Sequence, residues 1–330
     1  MKNFFISCLR GAGQVFFQNS AWSGILLIAG IFWGSHQAGS TAPAWGALLA
    51  LAVSTLTGRI LHLPEDDGRQ GLWGFNGILV GCAFPTFLDN SVWMWLALIL
   101  CAALSTWVRT GLNNVMRTWR INSLTFPFVL TVWLFLLAAH SMHSLPSDSL
   151  PVPGEPAAFA SAFDAGFMPL LRAWLCGISQ VFLIDSPITG LIFIVALAVS
   201  SPRAAIWGAV GSAAALCMAI LLRASASDIT HGLYGFSPVL TAIALGAVFH
   251  RPSFGAAIWA LLGCITTVFV QAAFDTALAP VGIPSLTAPF CIVTWLFLLP
   301  LVRFASDKAP DHSDWHRHGS RQGRHDRKER

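Results

Sequence analysis

The chain has 330 residues, 10% of them charged and 55% hydrophobic, with a formal net charge of +4 and a mean hydropathy of +0.66. Soluble domains carry roughly 25% charged residues, so the composition excludes a soluble globular protein and predicts an all-α integral membrane protein. The net charge is concentrated at one end, because eight of the nineteen Lys and Arg residues lie from Arg303 onward.

In chain order, the first stretch, near 3–17, is interrupted by Arg10, Gln14 and glycines and is followed by Gln18 and Asn19. It lacks the small-residue cleavage site of a secretory signal. A crossing helix needs roughly 20 apolar residues. This piece is too short, and reads as a half-helix tucked into the membrane, which is tolerable only where its backbone lines a cavity. Five candidate spans follow, at 21–35, 42–61, 71–88, 91–109 and 123–140. A linker at 141–168, rich in Pro and Ser and free of Lys and Arg, separates them from a second half-helix near 169–183. Five more spans follow at 187–200, 204–222, 232–249, 254–274 and 286–303, and then a basic tail at 304–330. Such charge runs are usually unstructured, and the anionic cytoplasmic bilayer surface is the simplest partner for this one.

The two halves repeat each other. Ser123–Leu137 (SLTFPFVLTVWLFLL) and Ser285–Leu299 (SLTAPFCIVTWLFLL) share ten of fifteen residues at an offset of 162. GLWGFNGIL from Gly71 and GLYGFSPVL from Gly232 share five of nine at 161, and the stretches from Gly13 and Ser179 share six of sixteen at 166. The units are therefore 1–140 and 169–303. With five crossings each, the second copy enters the bilayer upside down. A cytoplasmic N-terminus then puts seventeen Lys and Arg inside against Arg172 and Arg223 outside, a strong positive-inside asymmetry. Inverted repeats with broken helices place their translocation site at the midplane, on the pseudo-twofold axis.

The spans contain essentially no Asp, Glu, Lys or Arg within them. An ion-coupled carrier needs an embedded carboxylate or its equivalent, and an ion channel needs charged rings or a carbonyl filter. The predicted permeant is thus neutral and its movement downhill. Three duplicated features fit such a path. Gln14 and Gln180 end the half-helices with amides that both donate and accept. Thr125 and Thr287 precede Pro127 and Pro289, whose rings free a carbonyl one turn earlier. Phe75 with Leu79, and Phe236 with Leu240, set a flat ring and an aliphatic chain one helical turn apart. Acceptors along one wall and flat apolar walls elsewhere suit a planar molecule rich in N–H donors. Each residue also has a plainer reading as packing, capping or helix adjustment. Recurrence in both halves favours the pore, although duplication copies packing too. The seven cysteines are scattered without metal or redox spacing, the tail histidines lack apolar support for a metal site, and no cofactor motif is present.

The pieces Gly-x-x-Gln-Val-x-Phe, GLWGFN/GLYGFS and LTFPF/LTAPF followed by TVWLFLL or VTWLFLL resemble the urea transporter family over residues 5 to about 302. The resemblance implies a homotrimer with one pore per protomer, ten membrane helices plus two half-helices, and selective passive conduction of urea. Carried over by motif, Gln14 and Gln180 flank the outer urea zones, Phe75–Leu79 and Phe236–Leu240 pinch the solute, and Thr125 and Thr287 meet at the dehydrated centre. Val15 and Val181 are then apolar walls, with Phe17 and Leu183 at the mouths. Two departures stand out: some bacterial relatives carry Glu where Gln180 stands, and Leu183 is not aromatic. The expected partners are urea, membrane lipids and further copies of the chain, not nucleic acid, at the inner (plasma) membrane of a bacterial-type cell. The rival readings are a pore for ammonia, short amides or water, an intramembrane enzyme, for which no embedded His, carboxylate pair or metal cluster is visible, and a structural or receptor role.

Overall fold

The structure, a computed structural model, describes residues 2–145, 150–154 and 163–300. The tail at 304–330 and much of the linker lie outside the described residues. Among these the fold is helical throughout, without strands. The first half runs α1 (Lys2–Gln14), α2 (Ala21–Gln37), α3 (Ala42–Ile60), α4 (Glu65–Arg69), α5 (Phe75–Phe87), α6 (Val92–Met116) and α7 (Phe126–Ala139). The second half runs in the same order: α8 (Phe167–Ser179), α9 (Pro187–Ser200), α10 (Pro202–Leu221), α11 (Ala226–Thr230), α12 (Phe236–Ile243), α13 (Phe254–Leu278) and α14 (Ala288–Leu298). The α6 and α13 helices are both 25 residues long and start 162 residues apart.

Length separates these helices into two kinds. Among the described residues, three segments are long and apolar enough to cross a membrane alone: Val92–Trp119, α10 and Phe254–Val281. A fourth arises if α8 and α9, bent by 70° at their break, are taken as one. The predicted spans at 71–88, 123–140 and 286–303 are shorter as helices, with 13, 14 and 11 residues in α5, α7 and α14. At 1.5 Å per residue these reach roughly 16–21 Å, against a hydrocarbon core of about 30 Å. The difference comes from apolar residues that form turns, such as Gly71–Gly74 and Ser123–Thr125, which hydropathy reads as helix.

Local geometry recurs at the offsets of the sequence repeat. Left-handed backbone appears at Phe17 and Leu183, His62 and Arg223, Gly71 and Gly232, Arg120 and Gly282, and Leu124 and Leu286. Ser20 and Ser186 cap α2 and α9, accepting from the N–H three residues on. Ser91 and Ser253 do the same for α6 and α13. Such caps contribute about 1 kcal/mol each.

The halves hold each other by reciprocal bonds. Ser23 Oγ donates to the Ala196 carbonyl (2.7 Å), and Thr189 Oγ1 to that of Gly30 (3.0 Å). Trp133 Nε1 donates to the Pro284 carbonyl (2.8 Å), and Trp295 Nε1 to that of Asn122 (2.9 Å). In each pair the second bond is the first with both partners exchanged for their counterparts. Between them Phe16 lies against its own counterpart Phe182, with ring centroids 5.9 Å apart, and Phe193 closes edge-on over both. All of these rings are fully buried.

Candidate functional site

One buried polar contact joins two copies of one motif. Thr125 stands at the N-cap of α7 and Thr287 at the N-cap of α14, yet neither side chain caps its helix. Instead the two hydroxyls hydrogen-bond to each other at 2.7 Å, and Thr125 Oγ1 lies 3.3 Å from Cys291 Sγ. Both threonines are 3% exposed. The preceding leucines, Leu124 and Leu286, take φ of 52° and 49°, a conformation that costs a non-glycine residue about 1–3 kcal/mol. The strain turns the chain sharply into the helix and leaves the threonine side chain aimed at its counterpart.

The prolines act differently from the sequence expectation. Pro127 and Pro289 occupy the first turn of their helices, where the missing N–H has no helical acceptor to lose. They start α7 and α14, and do not free a carbonyl within a span. The Phe128 N–H, which also lies in that first turn, is taken up by Asn76 Oδ1 at 3.1 Å.

The glutamines are held alike. Gln14 Nε2 donates to the Gln70 carbonyl at 2.8 Å, and Gln180 Nε2 to the His231 carbonyl at 3.0 Å. Gln70 and His231 each precede a glycine of positive φ, Gly71 (80°) and Gly232 (70°). A Cβ on either glycine would run into the backbone of Arg10–Gly11 or Cys176–Gly177, so only glycine lets the turn come this close to the half-helix. In each amide one of the two N–H groups is spent on that carbonyl. The bond fixes the orientation of the amide and leaves Oε1 as an acceptor and the second N–H as a donor.

The apolar site residues belong to one buried cluster. Val15, Leu79, Val181 and Leu240 are essentially inaccessible, and Phe75 is 8% exposed. Phe17, Leu183 and Phe236 are half-buried against the same cluster. Phe17 packs edge-on to Phe249 and Phe290, with centroids 6.0 and 6.2 Å away. It thus meets the LTAPF piece that carries Thr287. Phe75 and Phe236 each open their helix, so Leu79 and Leu240 lie one turn in. Beyond Leu240, α12 widens into a π-helical turn at Ala244–Val248, a distortion frequent at functional sites.

Sequence reasoning missed three groups. The span predicted to end at residue 109 continues to Met116, so Arg109 lies inside α6 and is buried. It bonds Asp67 at 3.0 Å and sits over the Phe75 ring. Cys291 joins the threonine pair, whereas its counterpart in the first half is Val129. Asn76, directly after Phe75, is buried and uses its oxygen on α7, leaving Nδ2 without a partner. Near Gln180, Asp185 accepts from Arg172 (3.0 Å) and pairs with His231 Nδ1 (2.7 Å). Nearby Asp228 has its carboxyl pushed up by burial, opposed by Ser225 and His231.

Comparison with known proteins gives this geometry its context. The family model described as "Urea transporter" matches residues 5–302. The chain is 30% identical over 297 residues to urea transporter 1 of Ovis aries and 31% identical over 299 to urea transporter 1 of Rattus norvegicus. Each alignment covers 88% of this chain and 75% of the relative. Since the match takes in Gln14 and Gln180 and the helices that begin after Thr125 and Thr287, the chain belongs to the urea transporter family.

Proposed function

We propose that the protein conducts urea passively through a pore running from Gln14 to Gln180, past Phe75–Leu79 and Phe236–Leu240, with Thr125 and Thr287 at its centre. Membership of the family supports urea as the transported solute and makes the protein a transporter, not an enzyme. The observation that carries the route is the hydroxyl pair, two counterpart side chains bonded to each other in the buried centre.

Urea presents four N–H donors and one carbonyl acceptor in a plane. Stripping water from an unpaired amide-like group costs roughly 2–7 kcal/mol. Gln14 Oε1 and Gln180 Oε1 accept from it at the two ends. At the centre the threonines exchange their mutual bond for bonds with the solute, each hydroxyl accepting an N–H or donating to the carbonyl. Val15 and Val181 form apolar walls there, and Phe17 and Leu183 border the mouths. Leu183, which stands where the first half has Phe17, makes the two mouths unequal.

Around this pore, the two units at 1–140 and 169–303 form inverted repeats of five spans and a half-helix each, related by a pseudo-twofold axis. The reciprocal bonds and recurring left-handed residues support that arrangement. The linker at 141–168 is extracytoplasmic, the tail at 304–330 cytoplasmic, and the protein a homotrimer in a bacterial-type inner membrane.

Two measurements test the reading. Purified protein in vesicles is expected to give stopped-flow urea uptake that does not change when proton or sodium gradients are collapsed. A tenfold dependence on either gradient rejects passive conduction, and faster passage of water, ammonia or formamide favours the rival solute readings. Gln180→Leu removes both the bond to the His231 carbonyl and the Oε1 acceptor. Since a neutral hydrogen bond contributes about 0.5–1.5 kcal/mol, half-saturation for urea is expected to rise roughly two- to tenfold. An unchanged value counts against that mouth.

A further inference from the structure

One of the differences between the two mouths is a buried charged group. On α6, Arg109 places its guanidinium carbon 5.9 Å from the centroid of the Phe75 ring, with Nη2 3.0 Å from Asp67 Oδ2. The Arg109 side chain is 8% exposed and that of Asp67 33%. The carboxylate therefore faces water while the cation faces the protein interior and the ring. At the equivalent place on α13, 162 residues on, stands the neutral Gln271. It is buried, donates to the Leu233 carbonyl, and leaves Oε1 unpartnered. No counterpart cation lies against Phe236 among the contacts of the described residues.

An oxygen-lined slot creates a difficulty that shape alone does not solve. Guanidinium has the planar three-armed form of urea, more N–H donors, and weak hydration. A row of acceptors would favour it over urea. We propose that Arg109 is the specificity-determining residue that excludes such cations: a fixed, buried positive charge that also holds the Phe75 ring in place. The inference rests on the pore reading above. In a medium of effective dielectric about 20, the roughly 6 Å from Arg109 to the ring sets an upper bound on the order of a hundredfold for the slowing of a cation that passes beyond the ring. The more exposed Asp67 offsets part of this, leaving an expected effect of about tenfold. Neutral urea feels the charge only weakly, and a cation held against an aromatic face keeps that ring in one orientation.

The experiment compares labelled guanidinium uptake with stopped-flow urea uptake in vesicles of the purified full-length protein. Arg109→Gln, which copies the residue of the second half, is expected to raise the guanidinium-to-urea permeability ratio about tenfold. Arg109→Lys, which keeps the charge, and Asp67→Asn, which keeps the arginine, are expected to hold the ratio at or below that of wild type. A merely structural pair predicts that all three variants lower urea uptake without moving the ratio. An unchanged ratio in Arg109→Gln overturns the proposal, as does a rise in Asp67→Asn equal to that in Arg109→Gln. Should Arg109→Gln fail to assemble, the Lys and Asn variants decide alone, because a raised ratio in either contradicts exclusion by charge. Absence of urea uptake by the wild type would sink the pore reading instead, so the two failures are distinguishable.

Discussion

Replacing either central threonine by valine is expected to cut urea permeability by ten- to a hundredfold. Valine keeps the shape of threonine and removes only the hydroxyl. Because neither Thr125 nor Thr287 uses that hydroxyl to cap its helix, the starts of α7 and α14 lose no cap in the exchange. The loss falls on the centre. A passing urea forfeits one partner there, and leaving a buried polar group unpaired costs about 1–3 kcal/mol, roughly one to two decades in rate. Thr125→Ser and Thr287→Ser keep the hydroxyl and are expected to stay within about threefold of wild type, since only a methyl group is lost. Stopped-flow permeability gives the rate, and size-exclusion elution checks assembly. Valine variants that elute normally and conduct at wild-type rate would remove these two residues from the path.

A second large effect is expected at the glycine turns. Gly71 and Gly232 hold φ of 80° and 70° and press against the backbone of α1 and α8. Alanine at either position combines left-handed strain with a collision against main chain that has no flexible end to move aside. The expected loss of stability is about 2–4 kcal/mol per site, read as a lowered midpoint of thermal aggregation in detergent. Activity should fall as well, because the same turn presents the Gln70 or His231 carbonyl that orients Gln14 or Gln180. Gly111→Ala is the matching control. That glycine is helical, with open space around the position of a Cβ, and its replacement is expected to be neutral or stabilising by up to about 1 kcal/mol. Equal behaviour of the Gly71, Gly232 and Gly111 variants would show that the close approach is unimportant.

Much of this was legible in the chain because its repeats fall on the chemistry. The strongest repeat contains both threonines, and the structure brings those two hydroxyls into contact. The weaker GLxGF repeat contains the two glycine turns and the rings that follow them. What hydropathy alone misjudged was length. Leu72, Trp73 and Leu124 are apolar yet lie in turns, so the short helices α5 and α7 read as full spans. The Arg109 pair was hidden for a different reason. An arginine at the end of an apolar run reads as a marker of the cytoplasmic side, and its partner Asp67 is 42 residues earlier in the chain, in the short helix α4. Nor could sequence give the facing of the two amides, since each is fixed by a backbone carbonyl, which carries no residue identity.

The hydroxyl pair at the centre has a kinetic consequence. Its two members come from equivalent places in two copies of one motif, so a solute arriving from either side meets the same group first. Apart from Cys291, whose counterpart is Val129, the proposed centre is therefore without inherent polarity. Any difference between uptake and release has to arise where the copies have diverged: cysteine against valine beside the hydroxyl pair, arginine against glutamine near the Phe75 ring, or phenylalanine against leucine at positions 17 and 183. Evolution could then retune preference at one entrance without touching the central hydroxyl pair.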